Sequence, residues 1–283
     1  MSFSHNVKEE LSNLKNIKNN ELLEAEIFGY ILTENADITN NKICYITENE
    51  YNIERLFKIL FTLKIEYEPE INGKYFKAIM NKENFEEMFS KFANVKNDNI
   101  MKSIIKGTFL GAGSISEPER TYHLEIGFSN KENAKYILNL CKNYEIEFKI
   151  LEIKSKYILY LKDGEQISKF LACIGANKSV LKFEDIRIFK EMKNNVNRSV
   201  NMETANLNKI VNASINQIDD IKLIQKLNKM DDLSEELREV AILRLENPDA
   251  SLKEIGEILE PKLSKSGVKH RLDKIHEYAK GLI

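Results

Sequence analysis

A segment near the C-terminus, Ser264 to Lys274, is rich in basic and hydroxyl side chains that could bind a polyanion. Its apolar residues Val268, Leu272 and Ile275 recur at helical spacing, so they predict a helix with one buried stripe. The side chains that we predict to contact double-stranded DNA are Ser264, Lys265, Ser266, Lys269, His270, Arg271 and Lys274. Amines and guanidinium groups neutralise phosphates, and hydroxyl groups hydrogen-bond to base edges, so the chemistry indicated is nucleic-acid recognition.

A second short helix must precede this one in order to position it. Its buried stripe is predicted from Leu252, Ile255, Ile258 and Leu259. Ser251 and Glu254 match the capping-box pattern, in which hydroxyl and carboxylate satisfy backbone N–H groups of the first turn. Gly256 provides a small surface where another helix could cross closely. A short helix is therefore expected to begin at Ser251.

Two short helices in succession predict a helix-turn-helix motif, whose second helix enters the major groove of DNA. The N-terminal part of that helix meets base edges, which assigns base contacts to Ser266 and Lys269. Arg271 and Lys274 lie further along and are assigned to phosphates. An ordinary helical hairpin with a solvated basic face is the alternative interpretation of these residues.

Charged residues are distributed unevenly along the chain. The net charge is only -2, so any affinity for DNA must come from patches. From Ser264 to Lys280 five Lys and Arg residues face two acids, whereas from Asp219 to Glu239 seven acids face four bases. A basic segment thus follows an acidic one.

Several functional classes are disfavoured by composition. The three cysteines, Cys44, Cys141 and Cys173, are far apart in apolar surroundings, which predicts reduced thiols in a cytoplasmic protein. No apolar run has the length of a membrane span, and no cleavable signal pattern is present. His123 and Glu125 share a strand face, but without His or Cys at ligand spacing a polar sheet face is favoured over a metal site. We therefore predict no metal, no cofactor, no membrane contact and no small-molecule substrate.

A second polar segment, Arg187 to Lys209, places six asparagines around Arg198. Arg198 is a candidate phosphate contact. The alternative is purely structural: a helix, a capped break near Asn197, and a second helix from about Met202 that continues to about Asn228. The apolar residues that support this long helix are Leu207, Ile210, Val211, Ile215, Ile218, Ile221 and Ile224.

The first half of the chain contains an internal repeat of helix, hairpin, helix, hairpin, helix. A short helix, Ser4–Leu14, capped by Ser4, is predicted before the first copy. In the first copy we predict helices at Asn20–Thr33, Glu50–Leu63 and Lys82–Phe92. Its hairpins are predicted at Asp37–Thr47, turning at Asn40-Asn41, and at Ile65–Met80, turning at Asn72-Gly73. Asn-Gly is a strong hairpin signal because both central residues of a type I′ turn need positive φ.

The second copy repeats this order. We predict helices at Asp98–Leu110, Lys131–Tyr144 and Glu165–Ile174, and strands near Ser114–Ser116, Tyr122–Ser129, Phe148–Ile153 and Tyr157–Lys162. The lead helices carry Gly29 and Gly107 in their interiors, where glycine costs about 1 kcal/mol relative to alanine. Close packing of the two lead helices about a pseudo-two-fold axis would explain both glycines, and the four hairpins would form two sheets of one saddle.

This arrangement resembles the LAGLIDADG homing endonucleases, whose two motif helices each deliver an acid to a metal site. Aligned on the glycines, the copies read IFGYILTEN (27–35) and IKGTFLGAG (105–113), and the catalytic position holds Glu34 in one copy and Ala112 in the other. Alanine cannot bind Mg²⁺, and hydrolysis by a metal pair needs anionic ligands on both sides of the phosphate. We therefore expect no catalytic residues and no enzyme activity, with an active endonuclease as the disfavoured alternative.

Nearly the whole chain is similar to the WhiA family of bacterial sporulation and cell-division regulators. The resemblance is carried by GTFLGAGSI, YHLEI, NRSVNMETANLNKIVNA and LREVAILRLENPDASLKEIGEILEPKLSKSGVKHRL. It implies an α+β protein with a two-repeat LAGLIDADG-like αββαββα domain, followed by an all-α helix-turn-helix domain. The expected domains are 1–95, 96–195 and 196–283.

The same resemblance implies a function. The expected protein binds DNA in the nucleoid, acts in cell division and chromosome segregation, and extends to transcription regulation and sporulation. Other regulatory or division proteins are further expected partners. A protein-interaction adaptor that uses the endonuclease-like saddle is the alternative, because a repeat domain without chemistry still presents a large surface.

Overall fold

The computed structural model describes residues 2–14, 19–39 and 41–282, which separate into the units Met1–Glu191 and Met192–Ile283. The first repeat of the first unit contains α1 (Phe3–Ser12), α2 (Asn20–Ile31), β1 (Ala36–Ile38), β2 (Lys42–Thr47), α3 (Glu50–Leu63), β3 (Tyr67–Asn72), β4 (Tyr75–Asn81) and α4 (Glu86–Lys91), the last preceded by a 3-10 turn, Lys82–Phe85. Its strands form one antiparallel sheet in the order β1-β2-β4-β3.

Apart from α1, which precedes the lead helix of the first repeat, the second repeat has the same architecture. It contains α5 (Asp98–Ala112), β5 (Gly113–Ile115), β6 (Leu124–Phe128), α6 (Lys131–Lys142), β7 (Lys149–Ile153), β8 (Lys156–Leu161) and α7 (Gly164–Cys173). Its sheet order, β5-β6-β8-β7, matches that of the first repeat position by position. The predicted repeat of two sheets is confirmed.

The two lead helices, α2 and α5, cross at their glycines, as predicted. A Cβ on Gly29 would collide with the backbone carbonyl oxygen of Ile104, and a Cβ on Gly107 would collide with that of Glu26. Each glycine therefore lets the backbone of the partner helix approach closer than any side chain would permit.

Two local predictions in the first repeat are wrong. Ser2, not Ser4, caps α1 by accepting a hydrogen bond from the backbone N–H of His5. The β3–β4 turn centres on Gly73 and Lys74, because Asn72 already pairs with Tyr75; only Gly73 of the two central residues has positive φ, at 60°. A type II′ turn requires a glycine at its first central position, as found here. Asn40 of the other predicted turn lies outside the described residues.

A single helix, α8 (Asn177–Lys226), replaces the two helices predicted around Asn197. The predicted break is wrong because the stretch contains no Pro or Gly, and each asparagine costs only about 0.7 kcal/mol of helix propensity or less. The first turn of α8 is capped by Glu10, whose carboxylate accepts hydrogen bonds from the backbone N–H groups of Lys178 and Ser179 at 2.7 and 2.9 Å.

The second unit adds α9 (Glu235–Glu246), α10 (Leu252–Ile258) and α11 (Lys265–Lys280) to the C-terminal part of α8. Its buried core consists of Ile221, Ile224, Leu233, Val240, Ala241, Ile255, Leu259, Val268, Leu272, Ile275 and Ala279. Of the apolar residues that predicted α8, Ile221 and Ile224 are fully buried here, whereas Leu207 is 62% exposed. No described helix is long and apolar enough to cross a membrane.

Candidate nucleic-acid interface

The helix α10 begins with the capping box that the sequence predicted. The Ser251 hydroxyl accepts from the backbone N–H of Glu254 at 3.3 Å, and the Glu254 carboxylate accepts from the backbone N–H of Ser251 at 2.7 Å. The hydrogen bond that the Glu254 carboxylate accepts from the Ser251 backbone N–H, followed by its interaction with the Ser251 side chain, lowers the pKa of Glu254. The first turn of α11 is capped by Ser264 alone, whose hydroxyl accepts from the backbone N–H of Gly267 at 3.2 Å.

The connection between α10 and α11 is closed by backbone contact. A Cβ on Gly256 would collide with the carbonyl oxygen of Leu263, and the N–H of Leu263 donates to the Gly256 carbonyl oxygen at 2.8 Å. The closest neighbour of Gly256 is thus the connecting loop, and α11 also approaches this glycine, since Val268 Cγ2 would lie 3.2 Å from the same Cβ. The predicted close approach of a helix is therefore found, although the loop backbone comes closer still. The reason is that the loop folds back across α10 before α11 starts.

The apolar side of α11 packs into the core and leaves the basic side in solvent. Val268, Leu272 and Ile275 are buried to 2% exposure or less. The exposed side chains of the predicted contact set are Ser264, Lys265, Ser266, Lys269, His270 and Lys274. Positive charge concentrates in the N-terminal half of α11, since Asp273 and Glu277 lie in its C-terminal half. The helix dipole adds positive potential at the same end.

Arg271 lies apart from these exposed residues. Its guanidinium is 3.3 Å from the carboxylate of Glu236 on α9, and its side chain is only 19% exposed. Glu236 itself is exposed, so Arg271 lies at the rim of the basic side, beside an acid. A phosphate contact from Arg271 must therefore compete with this ion pair.

Arg198 is exposed on α8, about six helical turns before Asp220, which contacts α11. The contact is a hydrogen bond of 2.7 Å between Asp220 Oδ2 and His276 Nδ1. The structure thus exposes six of the seven predicted residues of the α11 segment, pairs the seventh, Arg271, with Glu236, and places the eighth, Arg198, on a different helix.

Three positioning residues were not predicted from the sequence. Asp220 and His276 fix α11 to α8, and no local pattern links residues so far apart in the chain. Arg244 is 2% exposed and donates to the carbonyl oxygen of Ala250 at 2.7 Å, which fixes the link between α9 and α10. Burial lowers the pKa of the Arg244 guanidinium. The sequence could have predicted the burial of Arg244, because this residue lies on the same apolar stripe of α9 as Val240 and Ala241.

In the first unit, the two positions that match the endonuclease acids hold Glu34 and Ala112. Glu34 Oε2 is 2.8 Å from Lys156 Nζ, and the backbone N–H of Glu34 donates to the Gly127 carbonyl oxygen at 3.0 Å. A Cβ on Gly127 would overlap the Glu34 carboxylate, so this glycine makes room for the acid. Glu34 of the first repeat therefore joins two residues of the second.

His123 and Glu125 lie on one face of the second sheet, as predicted, with His123 Nε2 3.1 Å from Glu125 Oε2. Leu124 and Ile126 point to the opposite, buried face. Within the described ranges no three His, Cys, Asp or Glu side chains are grouped so that they could hold a metal ion.

Comparison with known proteins identifies both halves of the architecture. Residues 101–193 match the WhiA LAGLIDADG-like domain, and residues 196–279 match the WhiA C-terminal HTH domain. A probable cell division protein WhiA of Ruminiclostridium cellulolyticum is 39% identical over 306 residues, covering 99% of this chain and 97% of the relative. Another, of Clostridium beijerinckii, is 51% identical over 187 residues, and this match spans 66% of this chain and only 59% of that relative.

Solved structures agree with these matches. Full-length DUF199/WhiA from Thermatoga maritima is 28% identical, with a TM-score of 0.66 over 99% of this chain and 98% of that one. The N-terminal LAGLIDADG domain of DUF199/WhiA is 25% identical, with a TM-score of 0.56 over 62% of this chain and 90% of that one. The predicted fold, a two-sheet LAGLIDADG-like α+β part followed by a helical HTH region, is confirmed.

Proposed function

The chain belongs to the WhiA family, and from this premise we propose that it is a cell-division protein that binds double-stranded DNA through α11. The observation that carries the proposal is the exposed basic N-terminal half of α11, whose opposite side is buried on α9 and α10. A helix held in this way can enter a major groove without disturbing its own core.

Within this proposal each residue has a role. Ser266 and Lys269 contact base edges, while Arg271 and Lys274 contact phosphates. Ser264, Lys265 and His270 border the same groove, and Arg198 contributes a phosphate contact from α8. Affinity is expected to fall with salt, because each phosphate contact releases counterions from the duplex.

The endonuclease-like unit acts without catalysis in this proposal. The side chain of Ala112 has no ligand oxygen, and the carboxylate of Glu34 is paired with Lys156 at 2.8 Å. A cation bound by Glu34 would have to displace that lysine, and it would lack the second acid that metal-assisted phosphodiester hydrolysis uses.

The proposal extends to a finer cellular role. We place the protein in the cytoplasm at the nucleoid, with roles in chromosome segregation and transcription regulation, and with other regulatory or division proteins as partners. The domain division 1–95, 96–195 and 196–283 belongs to the same proposal.

Chromatin immunoprecipitation of the intact protein tests this function. A sequence-specific regulator should yield discrete peaks that share a motif, and a general nucleoid binder should yield broad enrichment. Recovery no higher than that of an untagged strain would contradict DNA binding in the cell.

A protein-interaction adaptor remains the second candidate because of the charges on the first sheet. Its exposed face pairs Lys42 with Glu68 at 3.7 Å and Lys77 with Glu70 at 3.0 Å, so these lysines are already neutralised. A face of this kind suits a protein partner better than a polyanion. If the adaptor role dominates, cells carrying Lys269→Ala with Lys274→Ala should divide normally although DNA binding is lost.

A further inference from the structure

We propose that α8 carries a second row of phosphate contacts, Lys209 and Arg198, which continues the basic side of α11 along the duplex. The inference rests on the proposed DNA binding and extends its contact surface. Arg198 is then one member of a row of basic side chains on α8. The packing of α8 in the second unit determines which way this row faces.

The row begins where α8 is anchored to α11. Ile221 and Ile224 of α8 are fully buried in the core of the second unit. Next to them, Asp220 Oδ2 is 2.7 Å from His276 Nδ1 on α11. These contacts determine which side of α8 is turned toward α11, namely the side that bears Asp220.

That side carries the two basic residues further up the helix. Arg198, Lys209 and Asp220 follow one another at intervals of about three helical turns, because 3.6 residues make one turn. Since α8 is one continuous helix, the three side chains project from nearly the same side. Lys193, by contrast, projects from almost the opposite side.

The matching side of α11 is the basic one. Lys265 lies about three turns and Lys269 about two turns before His276, so both share a side of α11 with it. The Asp220–His276 contact thus joins the side of α11 that bears Lys265 and Lys269 to the side of α8 that bears Lys209 and Arg198. The basic positions of each helix thus lie on the side that meets the other helix at this contact.

The charges on this part of α8 favour binding to a polyanion. Lys209 and Arg198 are exposed, and within the described part of the chain neither has an acidic partner at ion-pair distance. From Met192 to Ile218 the sequence contains one acid, Glu203, against Lys193, Arg198 and Lys209. Glu203 does not share the side of α8 that bears Arg198, because five residues turn the helix by about 140° beyond a full turn.

The length of the row fits a duplex. At 1.5 Å per residue, Lys209 lies about 16 Å and Arg198 about 33 Å from Asp220 along the helix axis. One turn of DNA measures about 34 Å. A duplex held by α11 can therefore meet Lys209 and Arg198 over its adjacent turn, where side chains find phosphates of any sequence.

The test is a salt titration of the full-length protein with one non-specific duplex of about 30 base pairs. Wild type, Arg198→Ala with Lys209→Ala, and the control Lys193→Ala are compared by fluorescence anisotropy at several salt concentrations. Removing two phosphate contacts should flatten the slope of log K against log salt by about 1.8. Arg198→Lys should keep the wild-type slope because the charge is retained, and Lys193→Ala should leave the slope unchanged.

The outcomes separate this inference from the function on which it rests. Alanine favours helix, so circular dichroism should show α8 intact in every variant. If the double variant keeps the wild-type slope while Lys269→Ala with Lys274→Ala reduces it, the second row is refuted and DNA binding by α11 stands. An equal loss of slope in Lys193→Ala would also refute it. Failure of the wild type to bind the duplex at low salt would overturn both proposals.

Discussion

Glu26 on α2 and Arg55 on α3 form a buried two-point ion pair, with Arg55 Nε 2.8 Å from Glu26 Oε1 and Arg55 Nη2 3.0 Å from Glu26 Oε2. Lys106 on α5 places its Nζ 2.6 Å from the same carboxylate. Burial alone would raise the pKa of Glu26, but Lys106 and Arg55 outweigh it and lower that pKa. One carboxylate thus links the two repeats at their helix crossing.

Glu26→Gln should destabilise the protein strongly. The change leaves two buried cations without a counter-charge, and breaking a buried pair costs about 3–5 kcal/mol. Denaturant unfolding measures the loss. Glu24→Gln is the matched control on the same helix, because its partly exposed ion pair with Lys91 should contribute at most about 1 kcal/mol. Equal effects of the two changes would contradict the importance of the buried cluster.

The same carboxylate predicts a dependence of stability on pH. Since the pKa of Glu26 is lower in the folded protein than its ordinary value of 4.5, its contribution is fully present above pH 4.5. The contribution is lost as the pH falls below 4.5 and through the folded pKa. The difference in unfolding free energy between wild type and Glu26→Gln should therefore be constant near neutrality and shrink in acid. A difference that grows in acid would contradict this assignment.

Gly107→Ala should weaken the first unit, because the added Cβ collides with the carbonyl oxygen of Glu26 on α2. Overpacking of this kind costs about 1–3 kcal/mol, and Gly107→Leu should cost more. Thermal unfolding provides the measurement. Gly281→Ala is the control, since its Cβ would come no closer than 3.4 Å to a neighbour. An unchanged melting temperature for both Gly107 variants would refute close helix crossing.

Incubation with supercoiled DNA and Mg²⁺ or Mn²⁺ should leave the DNA uncut. The physical reason is the pair of positions Glu34 and Ala112, of which only one offers a carboxylate, and that one is held by Lys156. Gel electrophoresis detects nicking and linearisation. Cleavage that appears with wild type and disappears with Glu34→Gln would establish nuclease activity and overturn the prediction.

Single truncations on α11 should distinguish base contacts from phosphate contacts. Lys274→Ala should weaken binding to all DNA and flatten the salt slope by about 0.9, as expected for one phosphate. Ser266→Ala or Lys269→Ala should also reduce the preference between sequences, by about 1–3 kcal/mol per lost base contact. Titrations with two unrelated duplexes at several salt concentrations provide both readouts. Unchanged affinity and slope in Lys269→Ala with Lys274→Ala would place the DNA contact elsewhere.

The sequence was most informative where the cause is local. The Ser251–Glu254 capping box, the helix Glu50–Leu63 and the paired glycines of the lead helices were all predicted correctly. Capping bonds and helical periodicity involve residues within a few positions of one another, so the sequence indicates them directly. The two glycines meet residues far away in the chain, and they were predicted because they recur at matching positions of the internal repeat. The order of elements in both repeats followed from the same signals.

Tertiary structure decided the rest. The sequence favoured a break near Asn197, where α8 is continuous. It did not indicate that Arg271 faces Glu236, that Gly256 meets Leu263, or that Glu26 binds two cations. Each of these outcomes depends on which groups packing brings together, and the free energy of burying a charge or a carbonyl is set by those neighbours rather than by the residue itself. The side chains available to bind DNA could therefore be named from the sequence, whereas the direction in which the fold presents them could not.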